Sequence, residues 1–388
     1  EVALAVVLVV GAGLLLRSFW NLMNVDAGFS RDHLTTFQMS LPQSQYPEPE
    51  RRVSFYRELV EKVRALPGVQ SAAAMTGLPP SRNVNANDTD FVGVPTPPAG
   101  PIHNVDYYQT VTTGYLSAMG IPVVDGRGFT EADAAGTGGV VLVNEMLAKR
   151  FYPNQSPIGR VLKPSLSGEP SMTIVGVVKD VKQGGVGEPT GTELYFLLEQ
   201  MPAVAKNAPG TLNVVVRSST PFDAIAPALQ QVARSMDSRL PVVDLRPMDE
   251  VFAESMSRPR FLMTLLVAFA ALALLLAAIG TYGVLSYLVS ERRQEIGIRM
   301  ALGAERSTLL GMVMKHGLRL ALVGLLLGLA GAIAVTRLMQ TLLFNVRPAD
   351  PSTMVAVAAV IAAVALIACY VPARRATRVD PLTALRAE

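Results

Sequence analysis

The 388-residue chain carries three histidines, His33, His103 and His316, and one cysteine, Cys369. Metal sites built from such groups use H-E-x-x-H or C-x-x-C spacing, which brings two ligands onto one helix face or turn. Neither pattern occurs, and the histidines are far apart in sequence. A serine nucleophile on a strand-to-helix elbow needs G-x-S-x-G, which is also missing. The glycine-rich Gly184-Gly185-Val186-Gly187 lacks the following lysine and hydroxyl pair of G-x-x-x-x-G-K-[ST], so it forms no cradle for nucleotide phosphates. Asp88 and Asp90 fall in a polar stretch that reads as a solvated loop. These residues predict a chain that is not an enzyme, binds no metal and holds no cofactor of its own.

A different task is suggested by the run from Ser290 to Ala304, SERRQEIGIRMALGA, which is too charged to enter a bilayer yet regularly apolar. Read as a helix, it places Ile298, Leu302 and Leu309 on one face, with Glu295 and Arg299 as an i,i+4 pair on another. An apolar ridge edged by charge serves either of two purposes. It can lie on lipid headgroups, or it can dock in a cleft of a partner protein.

The elements around this run are apolar. Half of the chain is hydrophobic and the mean hydropathy is +0.34, high for a soluble protein. Four runs approach the roughly 20 residues needed to cross hydrocarbon: Val2 to Leu16, Phe261 to Leu288, Leu320 to Thr336 and Met354 to Val371. The first has no basic n-region or convincing cleavage site, and it runs into Arg17 and Trp20, which suit an interface anchor better than a secretory signal. Because the chain opens on Glu1, a preceding segment is expected. Cys369 lies within the last run, so no disulfide can form inside the chain.

Arg292, Arg293, Arg299, Arg306, Lys315 and Arg319 follow the second run, and Arg374, Arg375, Arg378 and Arg386 follow the fourth. The short loop between the third and fourth offers only Arg337 and Arg347. The positive-inside rule therefore places residues 289–319 and the tail in the cytoplasm, and the large segment after the first span outside it. Membrane orientation accounts for much of the net charge of +3, and no nucleic-acid partner is expected.

The segment 24–258 alternates strand-like runs (Leu34 to Leu41, Val140 to Val143, Thr173 to Val178, Leu212 to Val216) with helical ones. Val53, Tyr56, Val60, Val63 and Leu66 recur at helical spacing between Pro49 and Pro67-Gly68, and a second helix runs from Pro221 towards Met236. Stretches at 77–100, 184–191 and 202–210 read as loops open to a partner. Met248 to Arg260 reads either as a stalk helix leading into the second span or as a plain linker. The fold class is thus a membrane protein of four transmembrane α-helices with a large α+β extracytoplasmic domain between helices 1 and 2.

Glu295 to Ala304, EIGIRMALGA, closely resembles the segment after the second span of MacB/FtsX-family ABC transporter permeases. Val371-Pro372-Ala373-Arg374-Arg375-Ala376, Val379-Asp380-Pro381 and Ala384-Leu385-Arg386 resemble that family's C-terminal signature, and the first span through Phe29 looks like the opening of the second module in duplicated acidobacterial-type permeases. The resemblance implies a division at 1–23 (helix 1), 24–258 (MacB-like periplasmic core), 259–289 (helix 2), 290–308 (coupling segment), 309–340 (helix 3), 341–353 (short outer loop), 354–372 (helix 4) and 373–388 (tail). It implies a subunit of the bacterial inner membrane that relays the motion of a separate cytoplasmic ATPase of MacB/LolD-like type, which uses the ATP. The ATPase contact would fall on Glu291, Arg292, Arg293, Glu295, Ile296, Ile298, Arg299, Met300 and Leu302. Other implied partners are a second permease module or second copy, a periplasmic adaptor or substrate, and membrane lipid. An FtsX-like signalling scaffold that regulates a cell-wall hydrolase shares this topology and is the alternative.

A relay also needs helices that pack closely or bend. Gly324 and Gly328 form a G-x-x-x-G pair in the third span, joined by Gly331, and suit either close packing or an ordinary lipid-facing surface. Gly280 and Gly283 mark a possible hinge near the end of the second.

Overall fold

The computed structural model describes residues 1–95, 103–136, 138–167, 170–291, 295, 298, 305–338, 343–347 and 350–376. The chain divides into two compact units, Val25–Met256 and the combination of Glu1–Asn24 with Ser257–Glu388.

Among the described residues, four helices of the second unit are long and apolar enough to cross a membrane. They are the first, Val2–Met23, the second, Ser257–Glu291, the third, Arg306–Leu338, and the fourth, Pro351–Ala376. Each outruns its apolar core into charged flanks, the second across Pro259 and the fourth across Pro372. The third already begins at Arg306, so Leu309 belongs to it and not to the preceding amphipathic segment. The first helix packs against all three others, and the fourth lies against both the second and the third, whereas the second and third barely touch. Val6, Val10 and Leu14 of the first helix fill the interior together with Ala332, Val357 and Ile361.

The described residues of the unit Val25–Met256 form twelve strands: β1 (Leu34–Ser40), β2 (Val69–Met75), β3 (Asn87–Phe91), β4 (Asn104–Val105), β5 (Tyr107–Val111), β6 (Val123–Gly126), β7 (Gly139–Asn144), β8 (Val161–Pro164), β9 (Met172–Val178), β10 (Glu193–Leu197), β11 (Thr211–Ser218) and β12 (Val243–Pro247). They pair in the order β12-β1-β11-β2-β5-β10-β7-β9-β8-β3-β4, with β6 on β9. The pairs among β12, β1, β11 and β2 are antiparallel, whereas β5/β10 and β7/β9 are parallel, giving a mixed α+β domain.

The expected helix after Pro49 spans Pro49–Arg64. Proline at its first turn costs no hydrogen bond and presets φ, and Lys62 and Arg64 suit the negative end of the helix dipole. Tyr56, Leu59, Val60 and Val63 form its buried stripe, and the helix packs on β2 and on the Phe222–Met236 helix.

Several loop-like stretches are ordered otherwise. Residues 77–100 contain β3, which carries both Asp88 and Asp90, and 202–210 contain most of a short helix, Met201–Ala205. Their local polarity is offset by pairing with β8 and by packing of Met201 and Ala205 into the core. Nor is there one stalk helix: Met248–Ser255 stops at Met256, whose φ of −100° and ψ of 8° leave the helical region, and Ser257 starts the second membrane helix. Met248, Val251 and Phe252 are buried, with the Arg31 guanidinium 3.7 Å from the Phe252 ring centre.

Candidate functional site

The candidate site is the basic end of the membrane helices and the packing that could carry movement to it. Glu291 is the last residue of the second helix and is exposed. Beyond it, Glu295 and Ile298 are helical and exposed, and nearly half of the Ile298 surface is open, at 49%. An isoleucine this open beside a glutamate is the type of group a docking partner would cover. Arg292, Arg293, Ile296, Arg299, Met300 and Leu302 lie outside the described residues.

The second helix runs without a break from Ser257 to Glu291, through both Gly280 and Gly283. Gly280 faces the Glu1 carboxylate, so the backbone there is closely approached. Gly283 has nothing within 4 Å of where a Cβ would stand.

The three glycines of the third helix face the first. A Cβ on Gly324 would stand 2.8 Å from the Val2 side chain, and one on Gly328 would stand 2.5 Å from Val6 and 2.8 Å from the Ala3 carbonyl oxygen. At Gly331 the approach to Val7 relaxes to 3.4 Å. Absence of side chains therefore sets how near the two helix axes come.

Two contacts of the same kind had no distinctive sequence signal. A Cβ on Gly317 would lie 2.6 Å from the Sγ of buried Cys369 and 2.8 Å from Leu285, so this glycine sits where three helices converge. Gly13 of the first helix lies 3.0 Å from Thr353 by the same measure.

At the opposite end, polar groups tie the first helix to the loop before the fourth. Arg17 donates to the Asp350 carboxylate and to the Ser352 hydroxyl, the Phe344 amide donates to the Ser18 hydroxyl at 2.8 Å, and Asn21 donates to the Asn345 carbonyl at 3.1 Å. Asp350 also accepts from the Thr353 amide at 2.9 Å, capping the fourth helix. Hydrogen bonds from Ser352 and Thr353 hold its carboxyl down at about 2. Trp20, near these groups in sequence, is exposed.

Within the extracytoplasmic unit, a buried polar cluster escaped sequence reasoning. Glu193, the first residue of β10, is 1% exposed. It accepts from Gln183 Nε2 at 2.8 Å and from the Tyr195 hydroxyl at 2.7 Å, with the Arg82 guanidinium 3.6 Å away. Burial pushes its carboxyl up to about 7 against the pull of Arg82 and the two hydrogen bonds. Nearby, β2 and β5 share only the pair Met75 and Val111, and buried Gln109 bridges the strand ends, accepting from the Thr76 hydroxyl at 3.0 Å and donating to the Gly77 carbonyl at 2.6 Å. Among the described residues, no three His, Cys, Asp or Glu side chains gather as metal ligands would.

Comparison with known proteins gives two family matches. Residues 2–232 match the MacB-like periplasmic core domain, and residues 267–381 match the FtsX-like permease C-terminal region. The chain is 26% identical over 280 residues to the macrolide export ATP-binding/permease protein MacB 1/2 of Paracoccus denitrificans, covering 70% of this chain and 40% of that protein. It is 28% identical over 272 residues to the pyoverdine export ATP-binding/permease protein PvdT of Pseudomonas putida, covering 69% and 41%. It is 26% identical over 289 residues to the ABC transporter permease YknZ of Bacillus subtilis, covering 72% and 69%. The chain thus spans about two fifths of the length of the first two relatives.

Proposed function

The chain belongs to the MacB/FtsX-like ABC permease family, and on that premise we propose that it relays the motion of a separate ATPase to its extracytoplasmic domain. The chain is the permease module, set in the bacterial inner membrane with its basic end in the cytoplasm. The partner ATPase binds and spends the ATP, and this chain holds no cofactor.

One observation carries the proposal. The helix Ser257–Glu291 begins directly after the last residue of the extracytoplasmic unit, Met256, and continues unbroken for 35 residues to the segment bearing Glu295 and Ile298. At 1.5 Å per residue it is about 50 Å long, more than the roughly 30 Å of hydrocarbon, so a push at one end is delivered at the other. Gly280 and Gly283 would then serve as points of give within a rod rather than as a break.

The filled interior supports a relay over conduction. Val6, Val10 and Leu14 occupy the centre of the four-helix bundle, leaving the export path to the extracytoplasmic side or to a boundary with a second module or second copy. The relatives named for macrolide and pyoverdine export favour an exported cargo, delivered with an adaptor outside the membrane.

Docking is expected on Glu291, Arg292, Arg293, Glu295, Ile296, Ile298, Arg299, Met300 and Leu302. The test is co-purification of the ATPase with the chain carrying Ile298→Asp and Arg299→Glu. Loss of the ATPase is the expected result, and undiminished recovery would refute the docking surface.

A further inference from the structure

A groove of about 360 Å³ runs between the third and fourth membrane helices at their basic end. Its walls are aliphatic, with Leu322 and Leu325 on one side and Ile361 and Leu366 on the other, and its rim carries Lys315 and Arg319. Lys315, Arg319 and Leu322 recur at four- and three-residue spacing, so cations and apolar wall share one helix face. Both cations are exposed, and no acidic side chain lines the groove among the described residues.

We propose that this groove is a binding site for one anionic phospholipid, with an acyl chain along the aliphatic walls and the phosphate held between Lys315 and Arg319. Leu325 lies ten residue steps from Lys315, about 15 Å along the helix, which is half of the roughly 30 Å hydrocarbon thickness. The groove therefore has the depth of a single leaflet, and its charged rim falls at headgroup level. Two cations four residues apart can straddle one phosphate, and the guanidinium can bind two of its oxygens at once. Zwitterionic lipids offer the same chains but place an ammonium beside the phosphate, which the two cations repel. A basic pocket between helices selects anionic lipid on this ground.

Lipid there would brace the third helix, whose glycines seat the first, against the fourth. The site rests on the proposed orientation only for which leaflet supplies the lipid, so its test does not depend on the ATPase partnership.

The full chain in a mild nonionic detergent is incubated with equimolar dioleoylphosphatidylglycerol and dioleoylphosphatidylethanolamine and read by native mass spectrometry. Retention of one phosphatidylglycerol in preference is expected. Lys315→Gln with Arg319→Gln should cut retention about tenfold. Arg374→Gln with Arg375→Gln removes equal charge from the fourth helix outside the groove and should leave retention unchanged. Ala362→Trp, which fills the groove and keeps both cations, should also lower it. Equal retention of the two lipids, or equal loss in both double variants, would show general attraction to the charged helix ends and overturn the site. Full retention in Ala362→Trp, or displacement by excess inorganic phosphate, would show an anion bound without its chain and overturn it as well.

Discussion

Gly328 and Val6 meet at a close seam of the membrane bundle: a Cβ on the glycine would stand 2.5 Å from the Val6 Cβ, and the Ala3 carbonyl oxygen on the same helix is only 2.8 Å away. A side chain can turn aside, but a backbone oxygen can do so only if the helix moves. Gly328→Ala should therefore force the first and third helices apart and lower stability by about 1–3 kcal/mol. Gly283→Ala, with open space beside it, should leave the thermal midpoint of the detergent-solubilised chain unchanged. Equal midpoints for the two variants would remove the seam as a source of stability.

Tyr56 joins the Pro49–Arg64 helix to the sheet through one hydroxyl. That oxygen lies 2.8 Å from the carbonyls of both Met39 and Gly210 and accepts from the Leu212 amide at 3.2 Å. Tyr56→Phe keeps the ring but leaves these buried groups short of a partner, at a cost of about 1–3 kcal/mol. The check is the urea midpoint for loss of the strand signal in circular dichroism, and an unshifted midpoint would contradict the bridge.

Glu193 should make the extracytoplasmic domain less stable as pH rises. Its carboxyl is raised from 4.5 to about 7, so the folded domain holds a proton that the unfolded chain releases in this interval. The stability it contributes is complete below pH 4.5 and is lost as pH climbs through about 7. Asp180 and Glu199 are also raised by burial and add slopes of the same sign. Glu193→Gln should flatten the curve without abolishing it, measured as urea midpoint against pH. Parallel curves for the two proteins would exclude Glu193 as a contributor.

Arg17 and Asp350 should prove unequal despite their pairing. Arg17 is 46% exposed and its pairing is screened by water, so Arg17→Gln should change the thermal midpoint little. Asp350→Ala also removes the cap on the fourth helix, and hydrogen exchange at residues 353–355 should quicken. Matching exchange in both variants would place the cap elsewhere.

Some of the fold was legible because it depends on nearby residues alone. The apolar runs give membrane helices by length and composition, and Pro49, the three- and four-residue spacing and Gly68 bound a helix locally. Strands β1, β7, β9 and β11 carry enough β-branched and apolar residues to show themselves. By contrast, β2 includes Ala72, Ala73 and Ala74, good helix formers that become strand only because β11 pairs along their length. Strand β10 opens on a glutamate, an unlikely start for a buried strand until Arg82, Gln183 and Tyr195 converge on it.

The sequence by itself determined the membrane class and the four spans, since hydropathy is a sum over neighbours in the chain. Tertiary structure alone decided that Gly324 and Gly328 face the first helix, that Gly317 meets Cys369, and that Lys315 and Arg319 crown an aliphatic groove. Each depends on residues dozens or hundreds of positions apart, and such encounters are set by packing, which no local pattern encodes.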